Sequence, residues 1–134
     1  MVDLASDDLL GVLDWELAHC GDPMADLGWL AVVSWCFGQP QRPVGGFGHW
    51  AELSAGYAEA GGQIDPARVH WWQVLGTLRW GVICESMGQA WLDGSEPQME
   101  KAAIARRASE TEIDLLQLLL PRRAVATPTV QPHA

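Results

Sequence analysis

Apolar and polar positions alternate along this chain in two distinct ways. Near the start, Met1 to Leu4 and Leu9 to Leu13 flank the polar Ala5-Ser6-Asp7-Asp8, a pattern that predicts a small β-hairpin with a polar turn. A two-stranded hairpin is marginal alone in water, so it requires a surface to pack on. From Asp22 onward the spacing becomes helical. Asp22-Pro23 is a start signal, with Asp offering an oxygen to free backbone N–H groups and Pro suiting the first helical position. Leu27, Leu30, Ala31 and Ser34-Trp35 continue one face of that helix. Gly38 to Gly48, with Pro40 and Pro43, reads as a loop. Trp50, Leu53 and Tyr57 mark a second helix, which Gly61-Gly62 stops.

Asp65-Pro66 repeats the start signal and opens a long helix toward Trp91. Trp71, Trp72, Leu75, Leu78, Trp80, Val82, Ile83, Met87 and Trp91 make it apolar on most of its circumference, which predicts a central, buried helix. A narrow strip through Gln73, Thr77, Gly81, Cys84 and Gly88 is small or polar and reads as a line of close helix packing. Ser95-Glu96-Pro97-Gln98 fits a capping box for a last helix that carries Ile113, Leu115, Leu116, Leu118, Leu119 and Leu120 and stops at Pro121. The expected architecture is mostly α, one N-terminal β-hairpin followed by four helices over residues 1–120. Residues 121–134 form a disordered tail.

With 134 residues the chain is one domain or part of one. Apolar residues make up 49% and charged residues 19%, the balance of a folded soluble protein. Eight Trp imply a core of large side chains, each indole needing burial and a partner for its N–H. The formal charge of −9 argues against nucleic acid or an anionic membrane as partner, since both require clustered positive charge. Cys20, Cys36 and Cys84 are widely spaced, without a Cys-x-x-Cys pair, and suit reduced thiols in a cytoplasmic protein. No signal peptide and no apolar run of membrane-spanning length is evident.

The chemistry concentrates in Leu10-Gly11-Val12-Leu13-Asp14-Trp15-Glu16-Leu17-Ala18-His19-Cys20-Gly21-Asp22-Pro23-Met24-Ala25-Asp26-Leu27. An apolar run ends in an acid, a short loop follows, and Gly-Asp-Pro opens a helix with a further Asp in its first turn. This order resembles the metal-binding segment of the aminoglycoside phosphotransferase-like kinases. It is most similar to the branch that includes the kinase-like domain of acyl-CoA dehydrogenase fusion proteins. Trp71-Trp72 with Leu78-Arg79-Trp80-Gly81 resembles the family's central helix. Arg106-Arg107 with Glu110, Glu112 and Asp114-Leu115-Leu116 resembles its closing helix, so the likeness spans roughly residues 9–120.

The resemblance implies phosphoryl transfer from ATP to a small-molecule hydroxyl, a reaction that depends on positioning and charge neutralisation. Asp14 is then the ligand that holds Mg²⁺ against the nucleotide phosphates. Asp22 and Asp26 cap the helix and brace the active-site loops, and Gln73 and Thr77 are candidates for the acceptor pocket. A hydroxyacyl-type acceptor is at least as fitting as an aminoglycoside-like one. Family members carry a His-Gly-Asp catalytic loop and a downstream Asn just before this segment, and a nucleotide-binding lobe with a phosphate-contacting Lys earlier still. Asp14 lies 13 residues after Met1 and the one Lys is Lys101. The expectation is therefore the partial C-terminal lobe of a protein-kinase-like fold, without catalytic residues of its own and inactive as an isolated chain.

Plainer readings stand beside these. Asp14 also fits a turn acid, Asp22 is fully explained as a helix cap, and Asp26 fits loop bracing better than metal contact. Glu16 reads as a solvent-facing acid. His19, Cys20 and Asp22 offer mixed donors, but a structural zinc site needs four ligands at recognised spacings. Cys84 has no basic neighbour in sequence to make it a nucleophile. The tryptophans at helical spacing fit core better than a stacking wall. A non-catalytic binding module and a non-functional kinase remnant are the alternatives to a phosphotransferase segment. Both imply self-association through exposed apolar surface.

Overall fold

Asp22 and Pro23 start the first helix in the manner their order predicts. In the computed structural model, which describes residues 3, 5, 6, 8–15 and 18–120, the Met24 N–H donates to Asp22 Oδ1 at 2.9 Å and the Ala25 N–H to the Asp22 carbonyl at 2.9 Å. Pro23 already has helical dihedrals. Helix α1 covers Met24–Leu30. It is shorter than the sequence spacing implies, because Val32 is extended (φ −61°, ψ 128°) and a 3₁₀ turn, Val33–Cys36, follows. The Leu30 carbonyl, the last of α1, accepts the Gly45 N–H at 3.2 Å. Gln73 donates its side-chain N–H to the Ala31 carbonyl at 2.7 Å.

Helix α2 spans Trp50–Glu59. The Glu52 carboxylate reaches back to accept the His49 N–H at 3.2 Å, a local brace at the helix start. Gly61, at φ +85°, takes the left-handed conformation that ends the helix without a Cβ penalty. Helix α3, Pro66–Leu92, is 27 residues long, or about 40 Å at 1.5 Å per residue. Asp65 Oδ1 accepts the N–H groups of Ala67 (3.0 Å) and Arg68 (3.2 Å), and Pro66 occupies the first turn.

The end of the chain departs from one continuous last helix. Two helices form, α4 (Met99–Ala105) and α5 (Ala108–Leu119). The break at Arg106 and Arg107 is shallow, both keeping near-helical dihedrals. Arg107 uses it to send Nη2 to the Ser34 carbonyl (3.3 Å) and Nε to Glu110 (3.3 Å). Ser95 does not cap α4. Its N–H donates to Asp93 and its hydroxyl to the Ala90 carbonyl, so it finishes α3 instead, and Gln98 stands at the α4 cap.

Helix α3 is the axis on which α1, α4 and α5 pack. The small strip does bring helices close. A Cβ added at Gly81 would lie 2.5 Å from Thr111 Oγ1, and one at Gly88 would lie 3.0 Å from Ala105 Cβ. On the α1 side, a Cβ at Gly28 would lie 2.5 Å from Trp72 Cβ. Met24, Leu27 and Val69 form a buried cluster, with Trp50, Leu53, Tyr57, Ile64 and Trp72 packed against it. Trp29, Trp35 and Trp80 stack in sequence, with centroids 5.3 and 4.8 Å apart.

Two expectations about α3 and the tryptophans need correction. The helix is central but not buried all round: Val69, Gly76, Thr77, Trp80 and Cys84 are buried, whereas Trp71, Leu75, Leu78 and Val82 on the opposite side are exposed. The indoles are also less well satisfied than expected, since Trp35 and Trp80 bury their N–H groups without a hydrogen-bond partner among the described residues.

Of the expected hairpin, Met1, Val2, Leu4 and Asp7 lie outside the described residues. The Asp3 N–H donates to the Asp8 carbonyl at 2.9 Å, and no strand forms among the described residues. The expected tail, residues 121–134, also lies outside them. Among the described residues, no helix is long and apolar enough to cross a membrane.

Candidate functional site

Asp14 sits where the chain turns sharply before α1. Its φ of +72° is left-handed, a conformation that Asp tolerates better than most residues. Local bonds hold the turn on either side: the Trp15 indole N–H donates to the Val12 carbonyl at 2.8 Å, and the Ala18 N–H to the Trp15 carbonyl at 2.9 Å. Asp14 is exposed. Among the described residues, no hydrogen bond or ion pair engages its carboxylate. Glu16, two residues on, lies outside them.

Asp22 is the opposite case. Its carboxylate accepts four donors: the Met24 N–H, Arg68 Nε at 3.1 Å, Arg68 Nη2, and the Trp72 indole N–H at 2.7 Å. The Trp72 and Arg68 bonds come first among the causes that lower its pKa from the ordinary 3.8 to about 2. One side chain thus caps α1 and ties it to the first two turns of α3. The partners lie 46 and 50 positions away, a distance that no local spacing reveals. The need of an indole N–H for a partner was the one available signal.

Asp26 lies in the first turn of α1, exposed, where its charge favours the positive end of the helix. Gln73 is half-buried and lines a cavity of about 270 Å³ with Trp50, Ser54, Ile64, Pro66, Val69 and His70. Thr77 is fully buried, and its hydroxyl donates to the Gln73 carbonyl at 2.8 Å. A second cavity, of about 360 Å³, lies between the 3₁₀ turn and α5, among Val33, Phe37, Arg107, Ile113 and Asp114. Asp114 there has a raised pKa, from burial first and then from the Glu110 charge. Asp14, Asp22, Asp26 and Thr77 line neither cavity. Cys84 is buried and desolvation raises its pKa, the reverse of what a nucleophilic thiol needs.

Among the described residues, no group of three or more His, Cys, Asp or Glu side chains converges as a metal cage. A closed zinc-type shell therefore does not fit. A magnesium ion is held differently, by one or two carboxylates together with waters and substrate phosphates. One exposed carboxylate with no internal donor among the described residues fits that share, and Asp14 is such a group.

The sequence matches the model of the Phosphotransferase enzyme family over residues 1–72, more than half of the 134 residues, and the chain belongs to that family. The match contains Asp14, Asp22 and Asp26 and ends at Trp72, so Gln73, Thr77 and the closing helices lie beyond it. No curated protein and no solved structure gives a significant match. Members of the family are phosphotransferases of kinase-like fold that generally use ATP and Mg²⁺.

Proposed function

We propose that this chain is the C-terminal part of an ATP-dependent kinase acting on small-molecule hydroxyls, from the branch similar to the kinase-like domain of acyl-CoA dehydrogenase fusion proteins. The observation that carries the reading is the state of Asp14: exposed, unpaired among the described residues, and within the matched segment. In this reading Asp14 supplies the protein's oxygen to Mg²⁺, and the ion, when bound, neutralises charge on the nucleotide phosphates. Asp22 and Asp26 hold the entry to α1. Gln73, at a cavity wall, is the acceptor-pocket residue with access to open space, and Thr77 supports its backbone. The acceptor is of hydroxyacyl or aminoglycoside-like type. The compartment is the cytoplasm, and neither nucleic acid nor membrane is a partner.

Calorimetric titration of Mg²⁺·ATP into the wild type and Asp14→Asn tests this. Magnesium-dependent affinity reduced tenfold or more in the variant is expected. Affinity unchanged by the substitution contradicts the reading. Equal binding with and without Mg²⁺ contradicts it as well.

A second reading, self-association of a non-catalytic module, is favoured by the apolar stripe of Trp71, Leu75, Leu78 and Val82. Trp71 is 57% exposed and Val82 58%. Sedimentation should show a concentration-dependent dimer that Leu78→Lys dissociates. A wild-type monomer at all concentrations would remove this reading.

A further inference from the structure

Asp22 is saturated by four donors while Asp14, eight positions earlier, has none among the described residues, and this asymmetry assigns work to two residues of α3. We propose that Arg68 and Trp72 act as positioning residues: their clamp on Asp22 fixes the end of the Asp14 loop against α3 and so sets where the Asp14 carboxylate presents itself to a divalent cation. This rests on the reading of Asp14 as the magnesium-holding acid.

The clamp has the features of a geometric lock. Arg68 presents two N–H groups, Nε and Nη2, to the two oxygens of one carboxylate, which specifies orientation as well as charge. The Trp72 indole adds a third side-chain donor at 2.7 Å on Oδ2. The Trp72 ring is itself held, packed edge-to-face on Trp71 at 4.7 Å and lying against the Met24–Leu27–Val69 cluster. A second, independent tie fastens the same junction, the Asp65 N–H donating to Met24 Sδ at 3.4 Å. Gly28 allows α1 to approach Trp72 this closely. Seven positions separate the two acids in sequence, and at the Asp22 end of that stretch a Cβ added at Gly21 would lie 3.0 Å from His19 Nε2. Moving Asp22 therefore moves the base of the loop that carries Asp14. A helix needing only a cap would be served by the Met24 N–H bond alone. The three α3 donors go beyond capping and fix the carboxylate in three dimensions.

The test uses the full chain with Mn²⁺ as the probe, read by paramagnetic broadening of backbone amide signals. The variants are Trp72→Phe, which keeps the ring but removes the donor, Arg68→Gln, Arg68→Lys and Asp14→Asn. Thr111→Val, a packing change on α5 away from the junction, serves as control. In the wild type, broadening centres on the amides around Asp14. Trp72→Phe and Arg68→Gln should raise the Mn²⁺ concentration for half-broadening three- to tenfold, Arg68→Lys should restore part of that loss, and Thr111→Val should leave it unchanged. Wild-type affinity in both Trp72→Phe and Arg68→Gln, with Asp14→Asn abolishing the effect, overturns the clamp proposal alone. An effect of Thr111→Val equal to that of the clamp variants also overturns it, since general destabilisation would then explain both. Broadening that survives Asp14→Asn, or none in the wild type, removes the Asp14 reading and the clamp proposal with it.

Discussion

Asp14 and Asp22 stand eight residues apart in one loop and are opposites in their surroundings. The Asp22 junction is dense: a carboxylate filled by Arg68, Trp72 and a backbone N–H, beside Gly28, which admits the Trp72 Cβ and backbone. The Asp14 turn is sparser: the Trp15 and Ala18 bonds hold it among the described residues, and Asp14 itself is exposed. The contrast separates two uses of the same side chain. A carboxylate that must hold a fold is satisfied internally. In the proposed reading, the one that holds an ion has no internal donor among the described residues and accepts the strain of a left-handed backbone. If this distinction is right, substitutions in the two regions should affect different quantities.

The largest effect is expected at the dense junction. Gly28→Ala would place a Cβ 2.5 Å from Trp72 Cβ and 2.7 Å from the Gln73 backbone nitrogen. Helix α1 must then shift off α3, at a cost of about 3 kcal/mol, visible as an early urea transition. Asp22→Asn comes next. It leaves the Arg68 charge without its partner and should lower the melting temperature, by less than Gly28→Ala does. Asp14→Asn should leave stability within about 0.5 kcal/mol, because Asn tolerates the left-handed turn at least as well as Asp. Asp14→Val, β-branched at φ +72°, should cost about 1–2 kcal/mol, and that difference sharpens the assignment of backbone strain to this residue.

The smallest effect concerns acid. The folded pKa of Asp22 is depressed below its unfolded value, so its contribution to stability is complete above about pH 4 and is lost as pH falls through about 2. The Trp72 indole N–H resonance should therefore hold its position on acidification until close to pH 2. In Arg68→Gln the same resonance should titrate at a higher pH. A midpoint near 4 in the wild type would mean that the clamp is not formed in solution.

Much of the helical frame was legible in the chain. Asp22-Pro23 and Asp65-Pro66 declared their starts, because capping is local chemistry, and the strip through Gly81 and Gly88 announced close packing. Three features were not legible. The break at Val32 goes with Gln73 serving the Ala31 carbonyl from another helix. Ser95, Glu96 and Gln98 resemble a capping box, yet Ser95 turns back to close α3. The exposed side of α3 carries the same apolar residues as a core face, and composition does not distinguish a face that is covered from one that is not. The site divides in the same way. The order of Asp14, Gly21-Asp22-Pro23 and Asp26 pointed to a phosphotransferase segment, but the donors on Asp22 come from 46 and 50 positions away.

The most direct measurement pairs two substitutions with two readouts: melting temperature and Mg²⁺·ATP affinity for Asp14→Asn and Asp22→Asn. Asp14→Asn should keep the melting temperature and lose magnesium-dependent affinity, whereas Asp22→Asn should lower the melting temperature. An Asp14→Asn variant that melts early, or that binds Mg²⁺·ATP as the wild type does, would contradict the division of labour between the two acids.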